Sequence, residues 1–519
     1  VTALVKQPDG SSMSLTDQEK NENNSVLGVG SRLASGPAAE LVQTAFAREL
    51  TDQLALFRGM SLADMAHTVM LIEVGIIPPA EGSALLSALL ALHEYPTDFN
   101  PTPELGDLYT NREAWLASRT TSVGWLGAGR ARRESTTTGY RIIVRSHLLA
   151  FASALIKCGS ALVERANEYR SALMADYTYL QPAQPTTFGH YLLGFAYPLL
   201  RDLERLQALF NRTNQSPAGC GSVNGSRLPQ NRKRLAELLG FDGLAQHARD
   251  AMWQPDNPIE TLAVVVSALV NMDRLAEDLQ IFATAEFDLI ELADGYTRAS
   301  VIMPQKKNPY ALAYVRGATN ELIGMQASVA ALGRTPSGQV DNRIFIYGDV
   351  PRALEMATGV AELMSGVLAG MSFHSSVAAE RLSSGFTTAT DLAETITLET
   401  GLDFRTAHRI IGRLVREATL NNRTMRELTT ADLDKAAQEI LHRPLHLSET
   451  AFAHASDPAK AIAARQGIGG AAPEPLSDML SECRSMLDAC TSWCHNATTK
   501  ITVAEEALLQ TVQQLRGGA

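Results

Sequence analysis

The chain has 519 residues, of which 45% are hydrophobic and 19% charged, an ordinary globular composition with apolar material for a large core. Its formal net charge is −11, which argues against a nucleic-acid footprint. Five irregularly spaced cysteines (Cys158, Cys220, Cys483, Cys490, Cys494) argue against a disulfide framework and for reduced thiols in a cytoplasmic protein.

Residues 1–24 are polar, lack the apolar centre of a signal peptide and read as a loosely held arm. No continuous apolar run approaches the roughly 18–20 residues needed to cross a bilayer, so no membrane partner is expected. Residues 41–92, broken by Gly59, Gly75 and Pro78-Pro79, read as several short helices. From about Gly139 the pattern lengthens: 142–168, 185–210, 257–284 and 311–332 each carry apolar residues at three- and four-residue steps. Strand signals are weak, and 343–347 is the only candidate. Cys490 and Cys494 share a helix face and read as packing, because no histidine pair stands nearby in a ligand spacing. The expected fold is all-α. It comprises an arm and small helical domain over 1–124, a long central antiparallel helix bundle over 125–375, and a C-terminal helical domain over 376–519. No metal or organic cofactor is expected, since neither a ligand cluster nor a nucleotide loop is present.

Ala299-Ser300-Val301-Ile302-Met303-Pro304-Gln305-Lys306-Lys307-Asn308-Pro309 places a hydroxyl, two ammonium groups and a carboxamide between two stiffening prolines. Taken alone it reads as a polar surface loop ahead of a helix. Its order resembles the signature loop of the fumarase/aspartase superfamily, G-S-S-x-M-P-x-K-x-N-P, and its spelling from Pro304 to Pro309 is similar to the argininosuccinate lyase branch. Enzymes of that branch break a C–N bond in a substituted succinate and release fumarate. A second stretch, Tyr177-Thr178-Tyr179-Leu180-Gln181-Pro182-Ala183-Gln184-Pro185-Thr186-Thr187-Phe188-Gly189-His190, is similar to the branch's Y-T-H-L-Q-x-A-Q-P-x-T-F-G-H. Gly385-Phe386-Thr387-Thr388-Ala389-Thr390-Asp391-Leu392-Ala393 and Gly469-Gly470-Ala471-Ala472-Pro473 resemble its C-terminal domain.

The resemblance implies a homotetramer whose active sites, formed by loops 295–309 and others, each draw on three subunits. The chemistry it implies is removal of a weakly acidic proton beside a carboxylate, which demands a base and preorganised positive charge for a dianionic aci-carboxylate. On that reading Ser300 is the base, and Lys306, Asn308 and loop N–H groups stabilise the intermediate. Arg132 and Thr178 hold the carboxylates, and Gln181 completes the polar shell.

Departures from the branch bear on the substrate. Tyr179 stands where the branch has histidine, and it is the expected group near the leaving atom despite a reference pKa of about 10. His190 reads as structural. Gly129-Arg130-Ala131-Arg132-Arg133-Glu134 aligns with G-R-S-R-N-D. Arg133 there either adds a cation to the pocket, or points to solvent or pairs with Glu134. Tyr109 replaces another histidine, and Asn111 either faces substrate or caps its loop. The branch's tail-binding Y-x-x-D-x-Q-x-x-K corresponds to residues 339–347, ending at Tyr347, and Tyr310 stands where aspartate follows N-P. A cationic tail would find no acceptors, so argininosuccinate is not the expected substrate. The expected function is a carbon–nitrogen lyase acting on an N-substituted aspartate, a dicarboxylate, with fumarate as one product. The alternatives are a cycloisomerase, a lyase expelling nitrite or water, and a non-catalytic relative.

Overall fold

The structure, a computed structural model, describes residues 33–335 and 343–517 and the backbone of a short strand pair, Leu4–Lys6 with Ser12–Ser14. The arm expected over 1–24 otherwise lies outside the described residues. Four helices lead in: α1 (Ala47–Gln53), α2 (Phe57–Glu73), α3 (Pro79–His93) and α4 (Leu108–Ala117). Five long ones then pack on one another as a bundle: α5 (Arg132–Glu168), α6 (Phe188–Thr213), α7 (Asp256–Phe282), α8 (Tyr310–Leu332) and α9 (Arg343–Gly370).

The expected spans 257–284 and 311–332 match α7 and α8 closely, because their buried residues (Leu262, Val265, Leu269, Met272 and Leu312, Val315, Leu322) recur at helical steps. Helix α5 starts earlier than expected, at Arg132. Its first turns bury Ser135, Thr136, Thr137 and Thr138, so hydrophobic periodicity does not mark them. Where α2 crosses α5, Gly59 faces Gly139, and a Cβ on Gly59 would collide with the Gly139 carbonyl. That close approach explains a glycine inside each helix.

Helix α5 is long and apolar enough, by length and composition, to cross a membrane, but 61% of its apolar window is buried inside the bundle. The strand expected at 343–347 is instead the start of α9. Ile346, Tyr347, Val350, Leu354, Ala357 and Ala361 are all buried on one helical face, so packing overrides the local β preference of Ile-Phe-Ile-Tyr. Conversely, β1 (Leu173–Thr178) and β2 (Gln181–Thr187) form an antiparallel hairpin that periodicity did not reveal.

Helices α10 (Ala389–Thr400), α11 (Phe404–Leu420), α12 (Thr430–Leu441) and α13 (Glu449–Ser456) enclose a separate core around Leu392, Ile396, Ile410, Leu414, Leu433 and Phe452. The final α14 (Pro473–Gly517), 45 residues long, returns to the bundle, where Leu476, Leu480, Cys483 and Leu487 join the main core. Cys494 is buried against the α5 backbone, and all five cysteines are free thiols.

Candidate active site

The signature loop is held by a minimal antiparallel ladder, β3 (Arg298–Ala299) with β4 (Lys307–Asn308), in which Arg298 faces Asn308 and Ala299 faces Lys307. The Asn308 amide donates to the Arg298 carbonyl at 2.8 Å and locks the base of the loop. Inside it, the Met303 N–H donates to Ser300 Oγ at 3.1 Å. That backbone donor would favour an ionised oxygen at Ser300.

The two lysines differ. Lys307 pairs with Asp294 and Glu291, each at 2.7 Å, and these hydrogen bonds raise its pKa. Lys306 has no carboxylate partner among the described residues, so its charge is available. The tip stands clear of the chain: Val301 is 102% exposed and Ile302 is also exposed. Tyr310, the first residue of α8, is exposed as well, and the Arg298 guanidinium lies 5.3 Å from its ring centroid. Sequence reasoning did not single out Arg298. Its signal was its place two residues before Ser300.

The β1–β2 hairpin turns through Tyr179 and Leu180 between paired Thr178 and Gln181. Both turn residues have positive φ, 55° and 56°, the sign pattern of a type I′ turn, where Asn-Gly is the usual choice. Two non-glycine residues held there are strained by roughly 1–2 kcal/mol each, and such strain clusters at functional sites. The Tyr179 side chain is 99% exposed at the tip, and Gln181 is exposed beside it. His190 is engaged at both nitrogens, with the Gly469 carbonyl at 3.0 Å and Thr186 Oγ1 at 3.1 Å, and so ties the hairpin to the loop before α14.

The third group surrounds the start of α5. Asp107 caps α4 by accepting from Thr110 N–H. Arg132, with a side chain 52% exposed, reaches Thr110 Oγ1 at 3.3 Å and lies 3.6 Å from Asp107. Behind it, buried Arg130 and Arg112 converge on Asp64. Burial pushes the Asp64 carboxyl pKa up, but the two guanidiniums and the Ser135 hydroxyl hold it below its ordinary value.

Several expected site residues are placed otherwise. Arg133 neither points to solvent nor pairs with Glu134, because its guanidinium donates to Glu49 on α1. Glu134 instead accepts from the backbone N–H groups of Gly219 and Gly221. Asn111 is buried, with its carboxamide bonded to Thr102, Gly106 and Asp107 backbone, so it organises its own loop rather than facing a ligand. Tyr347 is 0% exposed. Its hydroxyl meets Thr137 at 3.0 Å inside an aromatic cluster with Tyr140 and Trp253, which removes it from any open pocket. Tyr109, also buried, packs under Arg130 with its phenol pKa pushed up by burial.

The groups do not meet within one chain. Thr137, near the start of α5, contacts Tyr347 near the start of α9, while Arg165, near the end of α5, donates to Leu368 at the end of α9. The two helices therefore run parallel, and Tyr296, just before the signature loop, packs on Gly366 and Gly370 at the far end. The 28 residues of α9 span about 42 Å at ~1.5 Å per residue. Arg132 and the Ser300 loop thus lie at opposite ends of the bundle. The hairpin shares the Ser300 end, since Tyr177 stacks with Phe282 and Phe287.

The family described as lyase matches residues 110–324, and the argininosuccinate lyase C-terminal family matches residues 386–463. An argininosuccinate lyase of Methanosarcina acetivorans is 33% identical over 495 residues, covering 93% of this chain and 98% of its own length. That of Methanothermobacter thermautotrophicus is 31% identical over 464 residues, covering 88% and 98%. Among solved structures, EDDS lyase in complex with formate superposes with a TM-score of 0.84 at 28% identity, over 93% of this chain and 96% of its own. A class II fumarase from Schistosoma mansoni, 14% identical, superposes with a TM-score of 0.67 over 89% and 99%, a likeness of fold alone. With both conserved-domain matches and a relative of that identity along nearly its whole length, the chain is a lyase and belongs to the argininosuccinate lyase branch of the fumarase/aspartase superfamily.

Proposed function

We propose that the protein cleaves or forms the C–N bond of an N-substituted aspartate other than argininosuccinate, with fumarate as the common product or substrate, in a homotetramer whose active sites are shared between subunits. In the cleavage direction Ser300 Oγ takes the Cβ proton, and the C–H electron pair flows into the adjacent carboxylate as an aci-carboxylate. Lys306, the free N–H of Asn308 and loop amides face that charge. The pair then returns to form the C=C bond, the Cα–N bond breaks, and the nitrogen leaves with its electron pair. The Tyr179 hydroxyl is the donor assigned to that nitrogen. Arg132, Thr178 and Gln181 grip the two carboxylates, for which a guanidinium's paired N–H edge is suited.

The observation that carries this reading is that Arg132 and Ser300 lie at opposite ends of the bundle, whose α9 is about 42 Å long, so that neither end alone holds both a carboxylate grip and a base. Open helix faces support assembly. Gly194 on α6, Gly317 and Gly324 on α8, and Gly359 on α9 have nothing within 4 Å of a would-be Cβ. Tyr314 and Ile323 on α8 are exposed beside two of them. Mid-helix glycine costs about 0.5–1 kcal/mol without a close neighbour to justify it. Against argininosuccinate, Tyr347 is buried among aromatic rings, and Tyr310 offers a guanidinium-stacked ring where a cationic tail would need a carboxylate.

The test follows fumarate by its ultraviolet absorbance with a panel of amines and amino acids, with argininosuccinate as control. Ser300→Ala and Arg132→Ala should each be inactive and should restore one another when unfolded and reassembled together. In random mixed tetramers roughly a quarter of the sites would be intact. A fully active Ser300→Ala protein, or no recovery on mixing two otherwise well-assembled variants, would refute the shared-site mechanism.

A further inference from the structure

We infer that Arg298 determines specificity for the amine half of the substrate, and that this half carries a carboxylate, so that the compound made or broken is an N-(carboxyalkyl)aspartate. The inference rests on the lyase reading of the Ser300 loop and adds the class of its nitrogen partner.

Arg298 is exposed and has no carboxylate partner among the described residues. The two nearest acids along the loop, Glu291 and Asp294, are both held by Lys307. The backbone of Arg298 is fixed by the ladder to Asn308 and by the Asn308 side chain on its carbonyl. Arg298 opens the short strand that ends one residue before Ser300, so the two Cα atoms are at most about 7 Å apart. The guanidinium is therefore carried on the same loop as the proposed catalytic oxygen. It lies over the Tyr310 ring, 5.3 Å from the centroid, and such a planar group is suited to bind a carboxylate bidentately.

The charge count points the same way. Stabilising the aci-carboxylate requires one cation at the loop, and Lys306 is available for it. Arg298 is a second unpaired cation within reach, so the bound molecule has a further anionic group on the side of this loop. In the addition direction the amine nitrogen's lone pair attacks fumarate and the N–C bond forms. The C=C pair becomes the aci-carboxylate, Ser300 returns a proton to Cβ, and the nitrogen releases one. The amine's own carboxylate takes no part in bond making and serves only as a handle for Arg298.

The experiment measures fumarate consumption with amines matched by loss of a carboxylate: glycine against methylamine, β-alanine against ethylamine, γ-aminobutyrate against propylamine, and one diamine. At least one carboxylated member should be favoured in kcat/KM by about tenfold or more over its partner, the scale of one charge-assisted contact. Arg298→Met should abolish that preference by raising KM for the carboxylated amine at least about tenfold, with kcat within about threefold. Arg298→Lys should recover part of the preference. Equal use of neutral amines, preference for the diamine, or a preference that survives Arg298→Met would overturn the inference while leaving the lyase reading intact. Wild-type silence with every amine would instead remove the lyase reading, and the inference with it.

Discussion

Replacing Asp64 by asparagine tests the buried charge cluster it forms with Arg112, Arg130 and Ser135. The Asp64 carboxylate is completely buried and accepts from Arg112 at 2.9 Å, from Ser135 at 2.7 Å and from Arg130. Asparagine preserves the volume but removes the single negative charge between two buried guanidiniums. Arg112 already has its Nε and Nη1 atoms without hydrogen-bond partners, so nothing nearby compensates. Breaking a buried pair in this way costs about 3–5 kcal/mol. Urea denaturation followed by circular dichroism, at matched protein concentration, measures the loss. The pH dependence gives a second check. Because the folded carboxyl titrates below its ordinary 3.8, its contribution is fully present above that value and is lost as pH falls through the lower folded pKa. The gap between wild type and Asp64→Asn should stay constant through the neutral range and narrow in strong acid. A loss under about 1 kcal/mol at neutral pH, or a gap that widens on acidification, would refute the account of this cluster.

Gly59→Ala should destabilise by about 1–3 kcal/mol, read as a lower thermal midpoint, because its Cβ meets the Gly139 carbonyl where α2 and α5 cross; a neutral substitution would contradict that crossing. His67 is buried, and burial together with Arg130 keeps its pKa well below 6.5. The unfolded chain therefore binds a proton that the folded chain refuses. Stability from this group is present above pH 6.5 and declines as pH falls below it, and His67→Gln should flatten that part of the denaturation profile. Tyr179→Phe preserves the ring on the hairpin tip and removes only the hydroxyl, so kcat should fall by about 10²–10⁴ if the phenol protonates the leaving nitrogen, while an unchanged kcat would assign the tyrosine to positioning alone.

The sequence by itself determined the fold class, the family and the chemical inventory. Helical spacing of buried residues marks 257–284 and 311–332 because each helix hides one continuous apolar face. The order from Ser300 to Pro309 carries its chemistry in residue identity, independent of packing. What the sequence left open depended mostly on distant partners. The strand-like run at 343–347 is helical because Ile346 and Tyr347 are buried, the latter against Thr137 of α5 and Trp253. Of the two readings open for Asn111, the local one holds, because the loop backbone takes up its carboxamide, while Arg133 is claimed by Glu49 from a segment far away in the chain. Arg298 gained a role through Tyr310. Above all, only the tertiary structure places Arg132 and Ser300 at opposite ends of the bundle. Helix length converts residue number into distance along an axis, but which ends coincide is decided by how the helices pack.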